Sequence, residues 1–298
     1  MNDSLLLTVF VPLAMFILML GLGSTLNTQA LKQALKNKTV LSMGLMAQII
    51  LVPMCAAVVV FFVDMPNEFK LGIMLLACCP GGTTSNLFTH LGKGNLALSV
   101  ALTTFSSLAV IITMPIILSI SSELIFNQVR EFDIPQLEIL KRLFFMTILP
   151  IMIGIFISYR FPKLGKFISS KTGAFGLAFL VFLTGTVVVN EWDNLIKYFS
   201  VIGTIIFLMN VSIVLVVMAM LKIAPPSLQD RFTIYIEANI QSSALAMFIA
   251  LTVLENGSMV AIPAGGYTLT MYLVGAILTL THRHQKKKLK GTSALVEA

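Results

Sequence analysis

Residues 69–90 read FKLGIMLLACCPGGTTSNLFTH. At roughly 20 residues, with no charge after Lys70, the run is long and apolar enough to cross a bilayer as a helix. Its middle contradicts that. Pro80 has no N–H and crowds the turn before it, and Gly81 and Gly82 weaken any helix they join. Thr83, Thr84, Ser85 and Asn86 follow at once. The spacing predicts a spanning segment that unwinds at mid-membrane, where the freed backbone groups must find partners in protein. A structural kink is the plain alternative, although a kink does not require four polar side chains after it.

The rest of the chain supports a membrane setting. Of 298 residues 57% are hydrophobic and only 11% charged, against about 25% charged in soluble domains, and the mean hydropathy is +0.94. The apolar runs are continuous, whereas barrel strands would alternate in stretches of about 10 residues. Nine segments are predicted to cross, at 5–26, 39–63, 69–90, 95–120, 140–159, 170–189, 197–221, 231–252 and 259–281. The first positive residue is Lys32, so 5–26 lacks the basic flank of a signal peptide and reads as a retained span. Cys55, Cys78 and Cys79, odd in number and all in apolar runs, read as free packing thiols.

Charge orients the spans. With the N-terminus outside, fifteen of the 20 Lys and Arg residues fall on the inner side, as cytoplasmic loops require. An integral protein of the plasma (bacterial inner) membrane is expected, with a cytoplasmic C-terminus. The basic tail Arg283–Lys290 reads as a contact to anionic lipid rather than to nucleic acid. Trp192 falls at a span end, where interfacial aromatics collect. The longest connection, 121–139, divides four spans from five, and Pro225-Pro226 form a rigid turn before the eighth span.

That eighth span carries a second irregular stretch, EANIQSS at 237–243. Glu237 is the one carboxylate well inside a predicted span, where an acid costs roughly 2.5–3.5 kcal/mol. A glutamate reaching the headgroups past Arg231 is the bland reading. Glu237 and Gln241 share a face if the helix continues. Interrupted helices in matching parts of two halves point to a transporter's binding site. The two stretches offer hydroxyls, amides, carbonyls and one carboxylate, a set for a hard cation such as Na⁺ rather than zinc or copper. Gln48, Ser99 and Thr103 add polar groups in neighbouring spans, although buried hydroxyls commonly bond the carbonyl one turn back. Gly92-Lys93-Gly94 lacks the rest of a phosphate loop. No nucleophile–base constellation is legible among the residues, and an enzyme is not expected.

The stretches 77–86 (ACCPGGTTSN), 98–104 (LSVALTT) and 237–246 (EANIQSSALA) resemble the signatures of the bile acid:sodium symporter family, in order and over nearly the whole chain. The resemblance implies an all-α fold of inverted repeats, in the nine-helix form, with two broken, crossing helices. The panel would comprise 1–38 and the helices within 126–195. The core would comprise 39–125 and 196–284, with 285–298 as a cytoplasmic tail. It implies two sodium ions, one held by Ser85, Asn86, Ser99, Thr103 and Glu237, the other by Gln48, Glu237, Gln241 and the carbonyls of Ala238 and Ile240. Substrate would meet Thr83, Thr84, Ser85, Asn239 and Ser242. Where many relatives carry Gln-Asn, this chain has Gln241-Ser242, so the substrate is less constrained than the ions. The function implied is sodium-coupled import of an organic anion, either a steroid conjugate like a bile acid or a small carboxylate such as pantoate or a 2-keto acid. A proton-coupled transporter with Glu237 as proton carrier is the alternative.

Overall fold

The computed structural model describes residues 6–26, 28–125, 136–254 and 256–296. They form helices joined by short turns, and the β-type pairing among them is an isolated bridge between Gly81 and Gln241. In chain order the helices are α1 (Val11–Thr25, continuing a π turn at Leu6–Phe10), α2 (Thr28–Lys36), α3 (Lys38–Phe62), α4 (Asn67–Cys78), α5 (Thr83–Leu91) and α6 (Leu96–Ile125). There follow α7 (Gln136–Arg160), α8 (Pro162–Asn190), α9 (Trp192–Lys197), α10 (Phe199–Ile223), α11 (Leu228–Asn239), α12 (Ser243–Val253) and α13 (Gly257–Val296). Seven of these, α1, α3, α6, α7, α8, α10 and α13, are long and apolar enough to cross a membrane. The fold is that of an all-α polytopic membrane protein, and its outer surface exposes large apolar side chains such as Phe62, Ile112, Phe156, Val181 and Phe207.

The predicted third and eighth spans are each two short helices, α4–α5 and α11–α12. Other boundaries move outward. Helix α8 starts at Pro162 rather than 170, because proline pre-sets the backbone angle of a first helical residue. Lys163, Lys166 and Lys171 therefore lie on the helix and not in a loop. The expected 121–139 connection shrinks: α6 runs to Ile125, α7 begins at Gln136, and 126–135 lie outside the described residues. The basic segment after residue 284, expected as a separate tail, continues α13 to Val296. Lysine is a good helix former, so charge ends the apolar window without ending the helix.

Packing divides the helices into two groups. In the first, α1, α7 and α8 lie together. The close approach of α1 and α7 depends on small residues: a Cβ at Gly23 would stand 2.2 Å from the Ile151 carbonyl oxygen, and one at Gly154 would stand 2.2 Å from that of Leu20. Ser158 Oγ donates to Ser24 O at 2.8 Å across the same seam. Small residues and interhelical hydrogen bonds hold helices where lipid removes the hydrophobic drive. In the second group α13 packs along α4 and α12, and α11 lies against α3, α5, α6 and α10. On the lysine-rich side, Lys286 Nζ reaches Lys93 O, and Asn95 Nδ2 donates to Asp230 Oδ1 at 2.7 Å. The α5–α6 turn, the start of α11 and the end of α13 thus lie on one face.

Candidate functional site: the crossing of two interrupted helices

Helix α4 stops where the sequence requires. Cys79 is extended (φ −69°, ψ 149°), Pro80 cannot continue the ladder, and Gly82 remains extended until α5 restarts at Thr83. Helix α11 stops at Ile240 (φ −97°, ψ 99°), and α12 restarts at Ser243. The two gaps cross. Gly81 and Gln241 pair as an antiparallel bridge, and Ser242 N–H donates to Pro80 O at 2.8 Å. Each break thereby supplies a backbone partner for the other, which is what an apolar interior demands. Tyr267 of α13 completes the arrangement: its hydroxyl, fully buried, donates to Asn239 O at 2.9 Å.

The crossing surrounds Glu237, which is 1% exposed. Ser85 Oγ donates to Glu237 Oε1 at 2.8 Å, Thr103 Oγ1 to Oε2 at 3.0 Å, and Ser99 Oγ also bonds Oε1. Each hydroxyl has a second acceptor in reach: Gly82 O at 2.7 Å for Ser85, Asn86 Oδ1 at 2.8 Å for Ser99, and Ser99 O at 3.1 Å for Thr103. Three hydroxyls have three protons, and six oxygen–oxygen contacts need them. The cluster is rich in oxygen and short of hydrogen. Gly81 closes it from one side. A Cβ there would meet Glu237 Oε2 at 2.3 Å, Ser85 Oγ at 3.3 Å and Gln48 Nε2 at 3.4 Å.

Beyond Glu237 lies a second set of groups. Gln48 is carried on a single π turn of α3, Ala47–Leu51, and is buried. Its Oε1 and Nε2 have no hydrogen-bond partner among the described residues, and neither has Gln241 Oε1. Gln241 Nε2 donates to Ala238 O at 2.8 Å. Buried polar atoms without partners are uncommon in folded proteins. Here two residues with orphaned amide oxygens, Gln48 and Gln241, lie beside Gly81, against which Glu237 packs, and oxygen donors of this kind suit a hard cation.

The structure therefore brings Gln48, Ser85, Asn86, Ser99, Thr103, Glu237 and Gln241 to one place. Thr83 and Thr84 line a narrow pocket at the crossing with Gln241 and Ser242, closed on its far side by Leu18 and Leu22 of α1 and Leu180 of α8. From Thr83, Thr84 and Asn86 a cavity of about 590 Å³ extends between the two helix groups to Thr25, Ser169 and Thr172, on the lysine-rich side. Asn239 ends α11 at the crossing. It is fully buried and lines neither pocket; its amide donates to the carbonyl of Met271, a residue of the narrow pocket, at 3.2 Å, and its Oδ1 has no partner among the described residues. Tyr272, which lines both pockets and stacks on Phe88, was not singled out from the sequence, nor was Tyr267. The available signal was faint: two of five tyrosines, five residues apart, in the middle of an apolar span.

These features define a polytopic α-helical membrane protein whose polar groups are gathered at the crossing of two interrupted helices. The chain belongs to the sodium bile acid symporter family, whose profile matches residues 12–224. It is 28% identical over 90% of its length to a probable chloroplastic sodium/metabolite cotransporter of Oryza sativa subsp. japonica, and 26% identical over 96% to an uncharacterized sodium-dependent transporter of Bacillus subtilis (strain 168). It is 32% identical over 65% of its length to a sodium-dependent organic anion transporter of Bos taurus. The chain spans 62% of the rice protein, 87% of the Bacillus protein and 52% of the bovine one.

Proposed function

We propose that this protein is a symporter that uses the inward sodium gradient to import an organic anion. The observation that carries the reading is the hydrogen-poor oxygen cluster around Glu237 together with the orphaned amide oxygens beside it. One cation would sit among Ser85, Asn86, Ser99, Thr103 and Glu237. A second would sit among Gln48, Gln241, Glu237 and the carbonyls of Ala238 and Ile240. Glu237 would then lie between two positive charges, which supplies what a buried carboxylate lacks. A proton on Glu237 would relieve the first cluster but would leave the oxygens of Gln48 and Gln241 without a partner, which favours sodium over proton coupling.

The substrate's negative group would approach Thr83 and Thr84, where α5 begins and its free N–H groups and dipole favour an anion. Ser242 lies beside them. No Lys or Arg lines the cavity between the helix groups among the described residues. The anion would be met by helix ends and bound sodium, which makes binding depend on the cation. A cavity of about 590 Å³ suits a small or medium organic acid. In this reading nine segments cross, the helices within 1–38 and 126–195 form the panel, and those within 39–125 and 196–284 form the core as inverted repeats. The cavity open on the lysine-rich side corresponds to an inward-facing state, with the N-terminus outside. The test is uptake into proteoliposomes of a panel of labelled organic anions, with Na⁺ replaced by choline at fixed pH. Saturable uptake lost in choline is expected. Uptake that persists in choline and follows a proton gradient would replace sodium by proton coupling.

A further inference from the structure

A second polar pocket lies on the lysine-rich side, away from the crossing. Its volume is about 380 Å³, and it is framed by the end of α10, the start of α11 and the last membrane-embedded turns of α13. Lys222, Arg231 and His282 line it together, with Tyr235 and Gln285 at its edge. His282 is 4% exposed, and its ring stacks on Phe232 with centroids 4.3 Å apart and planes 15° apart. The stack fixes the imidazole. Phe232 is fixed in turn, because it fills the space above Gly92, where a Cβ would come within 2.2 Å of its ring.

Two nitrogens of this pocket have no partner. His282 Nε2 and Arg231 Nε are buried and make no hydrogen bond among the described residues. Leaving a buried polar group unpaired costs about 1–3 kcal/mol, and more when it is charged. No carboxylate lines the pocket among the described residues. The acid nearest in sequence, Asp230, accepts hydrogen bonds from Asn95 Nδ2 and Ser227 Oγ, each at 2.7 Å. The site has cationic groups and orphaned nitrogens without an anion. Its other wall is apolar, with Met218, Leu221 and Leu278 running into the spanning parts of α10 and α13. A cationic end at the membrane face joined to an apolar wall along the spans matches a headgroup joined to acyl chains. A free phosphate would use only half of it.

We propose that Lys222, Arg231 and His282 form a binding site for the phosphate headgroup of an anionic phospholipid, whose chains lie along α10 and α13. Basic pockets between membrane helices hold acidic headgroups in this way. The site differs from the general attraction of the basic C-terminal helix, because Arg231 Nε and His282 Nε2 are buried and unpaired, with Lys222 exposed at the rim. Native mass spectrometry of the full chain in detergent, titrated with phosphatidylglycerol or with phosphatidylcholine, tests it. Retention of phosphatidylglycerol in preference to phosphatidylcholine is expected, with the preference weakened about fivefold for each cation removed in Arg231→Gln or Lys222→Gln. Arg283→Gln changes net charge equally at an exposed residue outside the pocket and is expected to leave the preference intact. Should Arg231→Gln not yield a monodisperse protein, Lys222→Gln, at an exposed position, decides. Equal retention of the two lipids, equal loss in Arg283→Gln, or an Arg231-dependent rise in melting temperature with inorganic phosphate and no lipid preference would each overturn the proposal.

Discussion

Replacing Gly81 by alanine tests the site most directly, because the structure fixes where the added carbon goes. It would lie 2.3 Å from Glu237 Oε2, about 1 Å inside the roughly 3.5 Å at which non-bonded atoms rest. The backbone there is held by the bridge to Gln241 and by the Ser242–Pro80 hydrogen bond, so the carboxylate is the part free to yield. Without sodium the side chain is held only by its hydrogen bonds to Ser85, Ser99 and Thr103 and gives way to the added carbon. With sodium it must return. The overpacking, about 1–3 kcal/mol, is then felt as lost ion affinity of roughly fivefold to beyond a hundredfold. Gly82→Ala is the matched control. Its Cβ would meet nothing closer than 3.6 Å, an ordinary contact. Melting temperature is measured against NaCl, with choline holding ionic strength constant, since a ligand at concentration c that binds only the folded state stabilises it by RT ln(1 + c/Kd), and the sodium midpoint is the Kd fitted from that rise. The sodium midpoint of Gly81→Ala is expected to rise by at least fivefold, while Gly82→Ala follows the unsubstituted protein. A Gly81→Ala protein with an unchanged sodium midpoint would refute the placement of sodium against Glu237.

Further outcomes follow from the same geometry. Glu237→Gln keeps shape but removes charge, and is expected to abolish sodium-dependent uptake while the protein still reaches the membrane; uptake with unchanged sodium dependence would remove Glu237 from the ion sites. Gln48→Ala combined with Gln241→Ala is expected to bring the Hill coefficient for sodium toward one and to weaken acceleration by an inside-negative potential, which gives about 2.3 kcal/mol per charge per 100 mV. A double variant that stays cooperative and voltage-sensitive would argue against the second ion. A cysteine placed at Asn2 is expected to react with an impermeant thiol reagent on intact cells and one at Thr292 not to react; the reverse pattern would invert the topology.

Much of this was legible from residue types. The surplus of apolar residues excludes a soluble chain, Pro80-Gly81-Gly82 cannot be an unbroken helix, and an acid such as Glu237 inside a span must be buried among polar partners. Those are local properties of backbone and hydration, and the structure has α4 ending at Cys78 and α11 ending at Asn239 accordingly. Helix ends were less legible. Apolar windows locate hydrocarbon rather than hydrogen-bond ladders, which is why α8 and α13 overrun their predicted limits.

Other features are pairings between segments distant in the chain, and no local pattern encodes them. The bridge of Gly81 to Gln241 joins positions 160 residues apart. Tyr267 caps α11, and Asn239 donates to Met271 O, only because α13 passes where it does. The orphaned oxygens of Gln48 and Gln241, like the unpaired nitrogens of Arg231 and His282, emerge only once buried donors and acceptors have been paired between segments, and single atoms of Thr89, Thr147, Asn210 and Asn239 are left unpaired as well. Composition dictates that polar groups in a membrane must be satisfied. Which ones are left without a protein partner depends on the distances between helices, and those are set by packing.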